Sequence, residues 1–588
     1  MTSTSTDDID RAVDALASAK DRWVRVPIPE RLALLARARD LTLACAEDQV
    51  RAACAAKGLD FDSPASTEEW LSGPLTIVRH IRLFIETLAA LDQTGRLPIG
   101  ASAVRTRPNG QLAVRVFPGN HIEPLLYPGT TAEVWLDPKV QLDEAGGLTA
   151  LERGPGKPAP TIGGSGGVRL PWREPCRGQA DQLGKVALVL AAGNVASIGP
   201  ADVLYKLFVE NRVCLLKMHP VNDYLGTFVE RAFAPFIEAG CLRLVYGGAA
   251  EGAYLAHHPD VDEIHITGAA ATHDAIVWGD TPAERARAKA SGTPVIHKRI
   301  TSELGCVTPV IIAPGRWSDR EIGYQAENVA TMIAINASCN CNAAKTLVTW
   351  RGWPQRQAFL RRLEDVLAAL PPRKAYYPGS VAKFAAFMAA HPGAKRLAEP
   401  AAESIPWTTI FDVDPSAKDD IVFREEAWCP IIAETALAAS DEGQFMEEAV
   451  RFSNERLWGT LSCTVIADGR LRKRLGDRFA RAIDALRYGT VSINHWAALG
   501  FVFGSTPWGA APGHTLEDIG SGIGMVHNTS LLDRPVKSVI DGPFTQWPKP
   551  IWFVTHRSGH RAARRMLAFE ARPSWSMLPA LAFHAMRA

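Results

Sequence analysis

Apolar residues in the N-terminal part of the chain recur at helical spacing. In RLALLARARDLTLACAEDQVRAACAAKG and in EEWLSGPLTIVRHIRLFIETLAAL they return every three or four positions, which predicts two or more amphipathic helices ending near residue 96. From 97 to 182 Pro and Gly break the chain repeatedly. There LAVRVFPG and AEVWLDPKVQL read as strands and GGLTALERGPGKPAPTIGGSGG as a linker or surface coil. After 183, short apolar runs alternate with longer helical segments: GKVALVLAAGN, VCLLKMHP, CLRLVYGG and VDEIHITGA. Such runs predict strands buried on both faces of a parallel sheet built from βαβ units. A second series, from PVIIAPG and KTLVTW through CPIIAETALA and LSCTVIAD to GTVSINHW, predicts another α/β unit joined to the first near TSELG.

These changes of texture divide the 588 residues at 1–96, 97–182, 183–305, 306–505 and 506–588, more than one ordinary domain holds. Charge narrows the partners. The 64 basic and 63 acidic residues leave a net charge of +1, so no global field holds nucleic acid or an anionic membrane, and small molecules or folded partners are expected. No basic-then-apolar leader opens the chain, and no run approaches the roughly 18 apolar residues of a spanning helix. The ten cysteines lack paired C-x-x-C spacing, and reduced thiols in a cytoplasmic protein are the expectation.

The densest chemistry lies in NASCNCNAAK, where Cys339 and Cys341 stand one residue apart. A nucleophile placed on a turn feeding a helix or tight bend, a redox pair, a metal clip and plain packing all remain open on this stretch alone. A closed metal site fits less well, since no further Cys or His pair stands nearby to complete four ligands, and no metal ligand is assigned. Asn194, Lys217, Gly248 and Gly268 fall at the carboxyl ends of the first series of strands, where ligands of parallel sheets bind.

Read in order, AAGN, LLKMHP, HITGA, KRITSELGCVTPVII, NASCNCNA, REEAWCP and STPWGA together resemble the aldehyde dehydrogenase superfamily over about residues 183 to 530. The family's nucleophile pattern, N-x-G-Q-x-C-x-A, is met by Asn336, Cys341 and Ala343, with Ser338 and Cys339 where Gly and Gln are usual. Its E-L-G-G-x-x-P base segment is met by Glu303, Leu304, Gly305 and Pro309, with Cys306 for the second Gly. Asn194 takes the place of the oxyanion asparagine, with Ala192 and Gly193 replacing Pro and Trp, and Lys217 takes that of the K-P-x-E lysine.

The resemblance implies a Rossmann-type parallel-sheet cofactor domain at 183–305, with 1–96 as its helical N-terminal part, and an α/β catalytic domain at 306–505. It implies small oligomerisation extensions in 97–182 and 506–588, and a homodimer or homotetramer. It further implies NAD- or NADP-dependent oxidation of an aldehyde through a thioester on Cys341, with Glu303 as general base and Asn194 as oxyanion donor. Lys217, Gly248 and Gly268 would hold the dinucleotide. Glu426 would lie near the nicotinamide ribose, with Trp428 in place of the family's phenylalanine. Pro220 stands where NAD-preferring members carry glutamate, and His219 beside it could meet a phosphate, which tips the expectation towards NADP. Glu303 favours hydrolysis, because branches that pass the acyl group to coenzyme A commonly lack it. An acylating reductase and a non-catalytic member with a redox or metal Cys pair are the rival readings. The basic, Trp-containing tail after 530 is expected to pack on this chain or a second subunit rather than on a membrane.

Overall fold

The computed structural model describes residues 2–142, 148–150, 161–162, 183–399 and 403–587. Most of the Gly-rich stretch expected as coil lies outside the described residues, as does Cys176 beyond it. The N-terminal periodicity becomes three long helices, α1 (Thr6–Trp23), α2 (Ile28–Lys57) and α3 (Thr76–Thr94). On α1 the buried stripe is Ile9, Val13, Leu16 and Trp23, one residue per turn. The second helix stops at Gly58, whose φ of 67° is the left-handed C-cap that glycine adopts without strain. These stripes pack against the first sheet in one core with Leu188, Leu215 and Leu242.

The two apolar runs after residue 97 form a hairpin of β1 (Leu112–Phe117) and β2 (Thr131–Leu136). Next come β3 (Val186–Leu190), α4 (Ile198–Phe208), β4 (Val213–Lys217), β5 (Leu242–Val245), α5 (Ala249–His257), β6 (Glu263–Gly268) and β7 (Arg299–Leu304). The five strands make an all-parallel sheet in the order β7-β6-β3-β4-β5. Strand order reverses between β3 and β6, and the crevice past their carboxyl ends is the natural ligand site of such a sheet.

The second unit contains β8 (Pro309–Ile312), α6 (Asp319–Ala334), β9 (Thr346–Trp350), β10 (Thr408–Ile410), β11 (Ile431–Leu437), β12 (Ser462–Ile466), β13 (Thr490–Ile493) and β14 (Pro535–Asp541). They lie parallel in the order β14-β13-β12-β8-β9-β11-β10. The β1–β2 hairpin joins this sheet antiparallel through β14, and the short edge strands Val104–Thr106 beside β1 and Lys395–Arg396 beside β10 bring it to eleven among the described residues.

The C-terminal tail folds back as α7 (Gly559–Ala571) and α8 (Leu578–Ala585). The first of these shares an apolar cluster with α2 and α3. A buried ion cluster fixes it there: Glu570 accepts hydrogen bonds from Arg79 (2.7 Å) and Arg82 (2.7 Å), and Arg79 also donates to Glu123 (2.8 Å). Trp547 and Trp575 stay exposed. No helix among the described residues is long and apolar enough to cross a membrane.

Candidate active site

A cavity of about 890 Å³ opens at the strand-order reversal and runs from Lys217 and Gly252 to Cys341. Asn194, Glu303 and Cys341 gather at one end of it, and Lys217, His219, Pro220, Gly248 and Gly268 line the rest beside β3, β4 and β6. Glu426 and Trp428, from the loop before β11, close the opposite wall. All ten sequence-derived site residues therefore border one cavity.

Cys341 is not at a helix N-terminus, because the chain runs from it through a bend into β9. It follows a turn in which Asn336, Ala337 and Ser338 have φ of 57°, 51° and 64°, three successive non-glycine residues in the left-handed region. Each costs about 1–2 kcal/mol there, so tertiary contacts must hold the turn. Asn336 is their hub. Its side-chain Nδ2 donates to the Asn194 carbonyl (3.0 Å) and the Cys339 carbonyl (3.1 Å), and its backbone N–H donates to Glu68 (3.0 Å). Lys345 Nζ donates to the Ser338 carbonyl at 2.6 Å.

With no helix terminus to stabilise a thiolate, burial and the neighbouring Glu303 and Glu426 charges hold the Cys341 thiol well above its usual range. The Cys341 Sγ donates to Glu303 Oε1 at 3.2 Å. Burial pushes Glu303 itself up to about 7, a suitable value for a base at neutral pH. Cys339 is sequestered, its Sγ 3.6 Å from the Trp428 carbonyl, and burial pushes its thiol up to about 12.

Asn194 Nδ2 donates to the Cys339 carbonyl at 3.0 Å, which leaves its second amide hydrogen free for a ligand oxygen. The Asn194 carbonyl is gripped in turn by Lys57 Nζ at 3.1 Å, and Lys57 is paired with Glu69 at 2.7 Å. Glu68 next to it holds Arg373 at 2.6 Å. Thus α2 and the short Thr67–Trp70 helix reach beneath the nucleophile turn. Sequence reading missed this cradle, together with Tyr376, Tyr377 and Trp458, since nothing in an amphipathic pattern marks which helix end will meet a distant loop.

His219 packs against Gly193. Its ring fills the place a side chain at Gly193 would need, where an added Cβ would lie 2.2 Å from Nδ1, so Gly193 is the space that the imidazole takes. Burial, with Lys217 adding, lowers the ring to about 4, and Nδ1 accepts the Val221 N–H. A neutral imidazole whose Nδ1 accepts carries its hydrogen on Nε2, which leaves the ring a hydrogen-bond donor without charge, and Lys217 lines the same end of the cavity. Glu426 is buried hard against Gly305, where an added Cβ would meet its Oε2 at 2.3 Å, and its Oε1 has no hydrogen-bond partner. Burial raises this carboxyl to about 7, with Lys345 opposing. Trp428 has a φ of 50° and meets the Tyr377 ring edge-on at 5.3 Å.

No protein-family model matches the chain. Over 184 residues it is 30% identical to an aldehyde dehydrogenase of Enchytraeus buchholzi, a match that covers 31% of this chain and 30% of that relative. The NAD-dependent aldehyde dehydrogenase of Sinorhizobium meliloti superposes over 92% of this chain and 87% of its own, with a TM-score of 0.57 and 17% identity. The glyceraldehyde-3-phosphate dehydrogenase of Methanocaldococcus jannaschii, complexed with NADP, does so over 92% and 95%, with a TM-score of 0.58 and 12% identity.

Proposed function

Since this chain has the aldehyde dehydrogenase fold, we propose that it oxidises an aldehyde to a carboxylic acid with NAD or NADP as hydride acceptor. The observation that carries the reading is the 3.2 Å contact between Cys341 Sγ and Glu303 Oε1 on the cavity floor, with the Asn194 amide beside it. The cavity suits a dinucleotide. It lies past the carboxyl ends of parallel strands, offers Lys217 as a cation, and holds the buried, unpartnered Glu426 Oε1 where ribose hydroxyls could donate.

Glu303 takes the Cys341 S–H proton as the sulfur bonds to the aldehyde carbon. The carbonyl electron pair moves onto oxygen, where the free Asn194 amide hydrogen and the Cys341 backbone N–H meet it. A bound oxidised nicotinamide supplies the acceptor for the hydride released when this adduct collapses. Glu303, having lost its first proton, then deprotonates a water that attacks the thioester carbon. The C–S bond breaks, and the acid leaves as the thiol is restored. Direct contact of this base with the nucleophile supports hydrolysis over transfer to coenzyme A.

The test follows absorbance of the reduced nicotinamide across a panel of aldehydes, with each nucleotide and with or without coenzyme A. Turnover without coenzyme A is expected, abolished in Cys341→Ser and largely kept in Cys339→Ser. A single burst that continues only with coenzyme A would replace this reading with the acylating one, and silence across the panel would refute both.

A further inference from the structure

Interfaces between a helix and a parallel sheet are ordinarily apolar, because a polar group buried there needs a partner. Under α4 the opposite is found. Parallel register sets His265 beside Thr301 and Thr267 beside Glu303, and alternation along the strands puts all four on one face of the sheet. Asp202 and Lys206, one turn apart on α4, lie over that face. Thr267 and Glu303 line the active cavity. From there Thr267 Oγ1 donates to Asp202 Oδ2 at 3.0 Å, and Asp202 Oδ2 lies 3.6 Å from His265 Nε2. His265 Nδ1 lies 2.9 Å from Thr301 Oγ1, and Lys206 Nζ donates to that hydroxyl at 3.4 Å and to Glu210 at 2.6 Å. Glu210 then pairs at 2.9 Å with Arg299, whose side chain is half-exposed at the far end of β7. Asp202, Lys206 and His265 are 1–2% exposed. One oxygen of Asp202 and one of Glu303 have no hydrogen-bond partner.

We infer that this polar file, Thr267–Asp202–His265–Thr301–Lys206–Glu210, carries protons from Glu303 to the surface. The inference rests on the hydrolytic reading above, in which Glu303 is protonated once by the thiol and once by water. Oxidation of an aldehyde and water to a carboxylate and reduced cofactor releases two protons, and a buried base that keeps the first cannot take the second. A cavity water between Glu303 and Thr267 receives the proton, and the hydroxyl passes one on to Asp202. His265 takes it at Nε2 and releases one from Nδ1 to Thr301. Thr301 passes one to Lys206 as that ammonium gives one to Glu210; because Lys206 and Arg299 hold the Glu210 carboxyl well below its usual range, this last transfer is uphill and is the slow one. No bond other than O–H and N–H is made or broken, and Asp202, His265 and Lys206 return to their starting states.

The test compares wild type, Asp202→Asn and Thr301→Val in dilute buffer and in buffer rich in imidazole, a diffusible acid–base small enough for the cavity. Each variant is expected to form its first equivalent of reduced cofactor at the wild-type rate. Steady-state kcat should then fall about tenfold in dilute buffer, with a larger solvent deuterium isotope effect, and recover towards wild type as imidazole rises. Unchanged kcat in both variants, or a loss that imidazole does not repair, would overturn the file. A variant that merely deforms the site loses the first equivalent as well, which also counts against it. Wild type that reduces no nucleotide with any aldehyde would instead remove the underlying reading, and this inference with it.

Discussion

Glu303 carries two consequences of its burial. In the proposed mechanism turnover needs its carboxylate, so the rate should climb about tenfold per pH unit below about 7 and level off above it; a pH–rate profile of the wild type checks this. Stability runs the other way. Its folded value lies above the unfolded 4.5, so the stability it lends is full below that pH and is lost as pH rises through about 7. Glu303→Gln should therefore be more stable than wild type at pH above 7, by up to about 3 kcal/mol, while forming even its first equivalent of reduced cofactor far more slowly, because no base is left to take the Cys341 proton. Thermal melts across pH, with a single-turnover assay, decide both. That Cys341, Glu303 and Asn194 share one cavity was legible in the sequence, because spacing and motif order single them out together. The charge state of His219 was not, since it depends on Gly193 leaving room for a ring that the fold then desolvates.

At the scale of elements, the site is held from outside its own unit. Lys57 ends α2 and grips the Asn194 carbonyl, so Lys57→Met should lower kcat about tenfold with little change in KM, and Lys57→Arg should restore part of it. Equal losses in kcat/KM and in melting temperature for both variants would show a merely structural lysine. The tail helix α7 is bound through Glu570, and removing one partner of a buried ion cluster leaves the others uncompensated. Glu570→Ala should cost about 3–5 kcal/mol in denaturant unfolding, read as a lower midpoint at unchanged slope. Neither contact was legible in sequence. The amphipathic stripes of 1–96 predict helices correctly, but they do not single out Lys57, Glu68 or Glu69, because a stripe marks the buried face and is silent about a helix end.

For the whole molecule, the alternation of apolar runs and helices foretold two parallel-sheet units, and their strands fall where those runs lie. The cavity between them gains contacts from both sheets, so a bound dinucleotide should stabilise the entire fold. NAD or NADP at about one hundred times its Kd should add about 2.7 kcal/mol, and melting with each nucleotide in parallel reveals which one the chain prefers. The second sheet was legible only in part. Hydropathy marks β1 and β2 as strands, yet it cannot say that their neighbour is β14, about 400 residues further on. During synthesis that distance becomes time. Val114, Ala132 and Val134 leave the ribosome about 400 residues before the strand that pairs with β2. Until then the hairpin keeps an apolar face and an unpaired edge, the two features that recruit chaperones or drive aggregation of nascent chains. The first unit can fold as it appears, whereas the second must wait for β14.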